Sequence, residues 1–305
     1  MFAVVVVAVE KKGKSPGGPG FARGKPAGRF LDDFARSFKL LTDRLREATT
    51  RDKVRHALST GNPVTVVESL PWDDSDSPID YGPWRQYEDE TERLLGTIME
   101  QTGAQEIAGL GFDMRFNLDN PYSRPWLLEH GAELVRQISA ETREAIRAVI
   151  LRAFDEQMAP RELGRELRDK IGLTLRDDQA VSGMRERFEE AGELSQRAID
   201  DKVEAYSNRL LRARAERIAR TETIAAESHG SWDSWRDARD KGFVLDDAKR
   251  RWIAGLTDRT CPICEELGGE EVGIDDEFHS DVLGEDVDAP PAHPSCRCTH
   301  TLVTR

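Results

Sequence analysis

The 305-residue sequence is short of cysteine, of long apolar runs and of positive charge, and each shortage excludes something. Four cysteines are too few to form the disulfide scaffold of a chain this long. No run approaches the ~20 apolar residues of a membrane span, so no membrane partner is expected. The most apolar stretch, Met1–Val9 (MFAVVVVAV), is shorter than that and has no basic segment before it, which makes it a poor secretory signal. Lys and Arg number 44 against 57 Asp and Glu, a net charge of -13. That sign argues against a protein that coats nucleic acid over its whole surface. With 38% hydrophobic residues the chain is nevertheless too apolar for full disorder. Its length favours about two domains.

The charge is unevenly placed. Residues 10–29 (EKKGKSPGGPGFARGKPAGR) are rich in Gly and Pro and carry Lys11, Lys12, Lys14, Arg23, Lys25 and Arg29 against Glu10. This stretch has a net charge of +5 and leaves -18 for the rest. Residues 1–29 read as a flexible basic arm, either a plain linker or a tail that touches nucleic acid.

The body reads as mainly α. Phe34, Phe38, Leu41 and Leu45 form one stripe of a helix over 30–58. Residues 61–83 form an acidic, Pro-containing linker, and a helical pattern returns over 84–107. Together 30–111 make an N-terminal helical region. Over 126–158, Leu128, Val135, Ile138, Thr142, Ala145, Val149 and Ala153 keep the spacing of one buried helix face, and Pro125 precedes it. Pro160 restarts a short helix to about residue 170. Thr174 is placed as the N-cap of the next one, with Asp177 and Asp178 near its positive end. The longest helical candidate covers 194–228, and 112–241 is the helical body. From Gly242 to Arg305 the texture changes to a small α+β lobe. Residues 249–255 and 298–304 read as strands, Gly268-Gly269 as a turn, and 275–288 as an acidic, solvated loop.

That lobe holds all four cysteines. Cys261-Pro-Ile-Cys264 is followed by His293-Pro-Ser-Cys296-Arg-Cys298. A two-residue gap lets two thiolates face one ion across a tight knuckle, and zinc takes four N or S ligands in a tetrahedron. Five candidates for four places leave one spare. A structural zinc site is the first reading; disulfides in a particle that leaves the cell, or free thiols in a small core, are the others. Enzyme signatures fail: no His is followed two positions later by Glu, and Gly24-Lys25 has Pro19 where a phosphate-binding loop needs its first Gly. A second string, Arg217-Ile-Ala-Arg220-Thr221-Glu222-Thr223, lies near the end of the longest helix, where Arg and Glu can orient a neighbouring element.

Taken together and in this order, the strings resemble the phage Mu F-like family of head morphogenesis proteins. The features are Ile218–Thr223 with its Arg220, Thr221 and Glu222, then Trp252, then Asp258–Cys264, then Gly268-Gly269, then Pro290–Cys298. Asn120-Pro121 and Met158–Leu163 fit the same family, and the resemblance runs over about 112–303. It implies a low-copy minor capsid protein of a tailed phage, located in the virion's capsid interior or portal region and in the host cytoplasm during assembly. The implied partners are the portal protein, capsid or scaffold proteins and packaged double-stranded DNA, and the implied domain has no catalytic activity. Some members carry toxin domains after the core; the chain stops at Arg305, directly after the last expected strand, so none is expected here. The expectation is therefore a non-enzymatic structural protein, mainly α with a small C-terminal α+β lobe stapled by zinc. A metal-dependent hydrolase or nuclease acting in packaging, and a DNA-binding accessory protein, stand as alternatives.

Overall fold

A computed structural model describes residues 25–48, 82–156, 163, 167, 169–255 and 260–303. The described residues form five long helices and then a small, mostly stranded region: α1 Lys25–Ala48, α2 Gly82–Leu110, α3 Ser123–Asp155, α4 Leu175–Ala191, α5 Gln196–Asp240, β1 Lys249–Ile253, α6 Pro262–Leu267, β2 Glu271–Gly273, β3 Phe278–Ser280, β4 Glu285–Val287 and β5 Thr299–Val303. The fold is mainly α with a small C-terminal α+β lobe that carries a Cys/His cluster, as expected. Among the described residues no helix is long and apolar enough to cross a membrane.

The chain divides into two compact units. One takes Phe34–Thr91 and His130–Glu216. Its core is the helix stripes read from the sequence: Phe34, Phe38, Leu41 and Leu45 on α1, and Ile138, Ala145, Val149 and Ala153 on α3, are all buried. Leu128 breaks the second stripe, being about half exposed. The unit also buries charge. Lys170 pairs with Asp178 at 2.8 Å, and Arg214 bonds Glu141 at 2.6 Å and the Gly172 carbonyl at 2.5 Å. Thr174 caps α4 as expected, its side chain accepting from the Asp177 amide.

The other unit takes Glu92–Glu129 and Arg217–Arg305, with the described residues before Phe34. Here α5 runs on to Asp240, twelve residues past the expected end at Ser228. The Ser-His-Gly-Ser run at 228–231 is weak in helix propensity, and packing overrides it. Gly230 sits where α2 crosses: an added Cβ would lie 2.7 Å from the Met99 carbonyl oxygen. One turn later Trp232 and Trp235 join Ile107, Phe116, Val244 and Ile274 in a core. The start of α3 is tied into the same unit. Asn120 Oδ1 accepts from the amides of Tyr122 and Ser123, and Ser123 Oγ donates to the buried Asp233 of α5 at 2.9 Å.

Beyond α5, β2-β1-β5 form an antiparallel sheet, with Arg250 opposite both Val272 and Leu302. The 275–288 stretch, expected as a loop, contains a β3–β4 hairpin that pairs Phe278 with Val287. Buried Phe278 packs edge-on against Trp252, which gives the acidic segment an apolar inner face.

One further expected boundary shifts. α1 begins at Lys25, within the stretch expected as a flexible arm, so Lys25 and Arg29 lie on a helix. Pro26 permits this start, because its missing N–H falls in the first turn, where no helical partner exists. Lys11, Lys12, Lys14 and Arg23, the helix expected over 49–58, most of the linker 61–83 and the restart at 160–170 fall wholly or largely outside the described residues.

Candidate metal centre

The lobe assembles its sulfur and nitrogen donors from two tight turns. Cys261 is the N-cap of α6, its Sγ accepting from the Cys264 amide at 3.5 Å, with Pro262 at the first helical position. This is how the two-residue gap places both sulfurs on one side. After α6, Gly269 adopts φ +94° and its amide bonds the Trp252 carbonyl at 2.9 Å, which returns the chain to pair with β1. The second turn is closed by the Cys296 amide on the His293 carbonyl at 3.0 Å. Between them Ser295 has φ +67°, unlike any other described residue except glycine. His293 Nδ1 lies 3.0 Å from the Pro294 carbonyl, which holds the proton on Nδ1 and turns the Nε2 lone pair to the thiols.

The donors converge. His293 Nε2 lies 3.1 Å from Cys261 Sγ and 3.2 Å from Cys264 Sγ, and Cys264 Sγ lies 3.7 Å from Cys296 Sγ. They form two overlapping groups able to hold a metal, Cys261–Cys264–His293 and Cys264–Cys296–Cys298, with Cys264 in both. Bonds of ~2.3 Å in a tetrahedron put two thiolates on one zinc ~3.8 Å apart, close to the Cys264–Cys296 separation. All four cysteines are free thiols here, and Cys264, Cys296 and Cys298 are buried with Trp252, Leu267 and Phe278 as the core of the lobe.

Protons divide unevenly over this cluster. Burial pushes the Cys264 thiol up. The Cys296–Cys298 hydrogen bond raises Cys296 as donor and lowers Cys298, its acceptor, to about 5. Without a cation, the Cys264–Cys296–Cys298 trio thus favours thiolate character on Cys298 over the other two. A bound divalent metal removes that preference, since coordination deprotonates each ligating thiol. The donor set fits a soft, tetrahedral ion and can hold a metal.

Around the cluster, Trp252 is buried and Glu222 is buried on α5, whereas Asp258 lies outside the described residues. Thr221 reaches the knuckle itself, accepting from the Ser295 amide at 3.2 Å. Sequence reasoning missed Arg250. It is fully buried, donates to the Asp288 carbonyl at 2.7 Å and to the Asp276 carbonyl, and lies 3.9 Å over the Trp232 ring. Burial lowers its pKa to about 10, so it stays charged at neutral pH and ties the acidic segment to the core. The signal was available. Trp252 is an inward strand residue, and the two-residue period puts Arg250 on the same face.

The fold and the donors define a class: a helical protein ending in a small lobe organised around a Cys/His cluster. Residues 164–301 match the family described as Phage Mu protein F like protein, so that stretch is similar to the Mu F-like family. The match begins well after residue 112, where the motif resemblance starts, and it contains both the 217–223 string and the whole Cys/His cluster. Searches of curated proteins and of solved structures give no match.

Proposed function

We propose that this protein is a structural component of tailed-phage head assembly, a non-enzymatic minor capsid protein built into the prohead beside the portal. The observation that supports it is the Mu F-like match over 164–301. Capsid or scaffold proteins and the portal protein are the partners in this reading, and the virion is the location, reached from the host cytoplasm. Deleting the gene from its phage is expected to give particles defective in assembly or infectivity. Normal yields of fully infectious particles would overturn the reading. An enzyme of DNA packaging would behave differently: Glu222→Ala would abolish activity and leave particles assembling.

We also propose that the metal is zinc, held structurally by four of Cys261, Cys264, His293, Cys296 and Cys298. The support is the all-S/N donor set in a lobe too small to build much core of its own. When bound, zinc supplies a cross-link between the two turns; the protein's part is to orient His293 through Pro294 and to bury the sulfurs. DNA contact, if it belongs to this chain, is assigned to Lys11, Lys12, Lys14, Arg23, Lys25 and Arg29. Removing residues 1–29 should then weaken DNA binding and flatten its salt dependence, and an unchanged salt slope would dismiss the arm.

A further inference from the structure

We infer that Thr221 is a positioning residue for the metal knuckle, a latch through which α5 sets the spacing of His293 and Cys296; the inference rests on the metal-centre reading above. The knuckle turns at Ser295, which lies between the two ligands and has a φ of +67°. A side chain at that angle carries a steric cost that glycine escapes, so the turn needs an outside contact to hold it. The Ser295 amide has one, on Thr221 Oγ1 at 3.2 Å. Thr221 is itself held. Its hydroxyl proton goes to the Arg217 carbonyl one turn back, at 2.9 Å, which leaves an oxygen lone pair for Ser295. Its neighbours Glu222, Thr223 and Ile224 are buried, so this part of α5 is a fixed platform.

The arrangement accounts for two strings 74 positions apart in sequence. One holds the ligands, and the other holds the backbone that spaces them. The chemistry requires a hydroxyl at position 221: serine supplies it, and valine, of nearly the same shape, does not.

The test uses the full chain, reduced and loaded with zinc or cobalt(II). Zinc affinity is measured by chelator competition, and ligand geometry by the visible cobalt spectrum. Thr221→Val is expected to weaken zinc binding about tenfold, the low end for loss of a contact behind a ligand, and to shift the cobalt bands. Thr221→Ser should restore both to wild-type values, which a shape-only role would not. Adding Ser295→Gly to Thr221→Val should recover most of the affinity, because glycine holds the turn without help. Wild-type affinity and an unchanged spectrum in Thr221→Val overturn the latch. If Thr221→Val fails to fold, Thr221→Ala is read by the same spectrum with the same two outcomes. A wild-type protein that takes up neither metal overturns instead the metal-centre reading, and the latch with it.

Discussion

The helical unit around α1, α3 and α4 and the Cys/His lobe solve the same problem with different means. The first has many long side chains to bury, enough to enclose an ion pair such as Lys170–Asp178 at the same time. The buried cluster around the cysteines has three large apolar residues, Trp252, Leu267 and Phe278, and fills its remaining places with Cys264, Cys296 and Cys298. A region with so little apolar area gains less from burial than ordering its chain costs, unless something cross-links it. On the proposed metal reading, the contrast gives this protein two separable sources of stability, apolar packing in one place and ligand geometry in the other.

The largest expected effect follows from Cys264, the donor common to both groups. Cys264→Ser should abolish stoichiometric metal binding and let the amides of β1, β2 and β5 exchange as in an unfolded chain. The amides of α1 and α3 should keep their protection. Structural zinc contributes on the order of 10 kcal/mol to small domains, so the loss should be complete rather than graded. Hydrogen exchange read segment by segment checks it, and equal loss in both regions would erase the distinction.

The converse break is Lys170→Met, which leaves Asp178 buried without its cation. It should cost about 3–5 kcal/mol in urea denaturation and leave the metal content unchanged. Replacing both partners by apolar residues should recover most of that.

A smaller, pH-dependent effect belongs to the unit that holds the lobe. Burial raises Asp233 from 3.8 to about 7, against the offsetting Ser123 hydrogen bond and the charges of Arg236 and Arg250. The folded carboxyl therefore keeps a proton that the unfolded one releases, and stability should fall as pH rises from 3.8 through about 7. Asp233→Asn should flatten that slope in denaturation curves taken across the window.

The smallest effect is at exposed His279, whose pKa is raised by its hydrogen bonds to Asp286 and Asp281. Its support of the β3–β4 hairpin is full below 6.5 and is lost as pH rises through the elevated folded value. Asp286→Asn should bring the imidazole titration, followed by NMR, back toward 6.5.

Much of the fold was legible because it follows from periodicity. The stripe of Phe34, Phe38, Leu41 and Leu45 is buried as its spacing demands, and Thr174 caps α4 for the reason that threonine favours that position. The extent of α5 was not legible. The 228–231 run opposes helix locally, and only the close approach of Met99 to Gly230 explains why it persists. The members of the Cys/His cluster announced themselves by type and spacing. What lies behind them did not: the Ser295 turn and its contact with Thr221 depend on a tertiary approach over 74 positions that no local pattern records. Likewise, Arg250 hides as one of several basic residues until the strand period pairs it with Trp252.

The central claim, that a metal rather than apolar packing closes the lobe, is tested most directly by metal content. Purified under reducing conditions, the full chain should carry about one zinc per molecule by elemental analysis, and lose the lobe's amide protection when the zinc is stripped. A metal-free chain whose lobe stays fully protected, with its four cysteines paired as two disulfides, would contradict it.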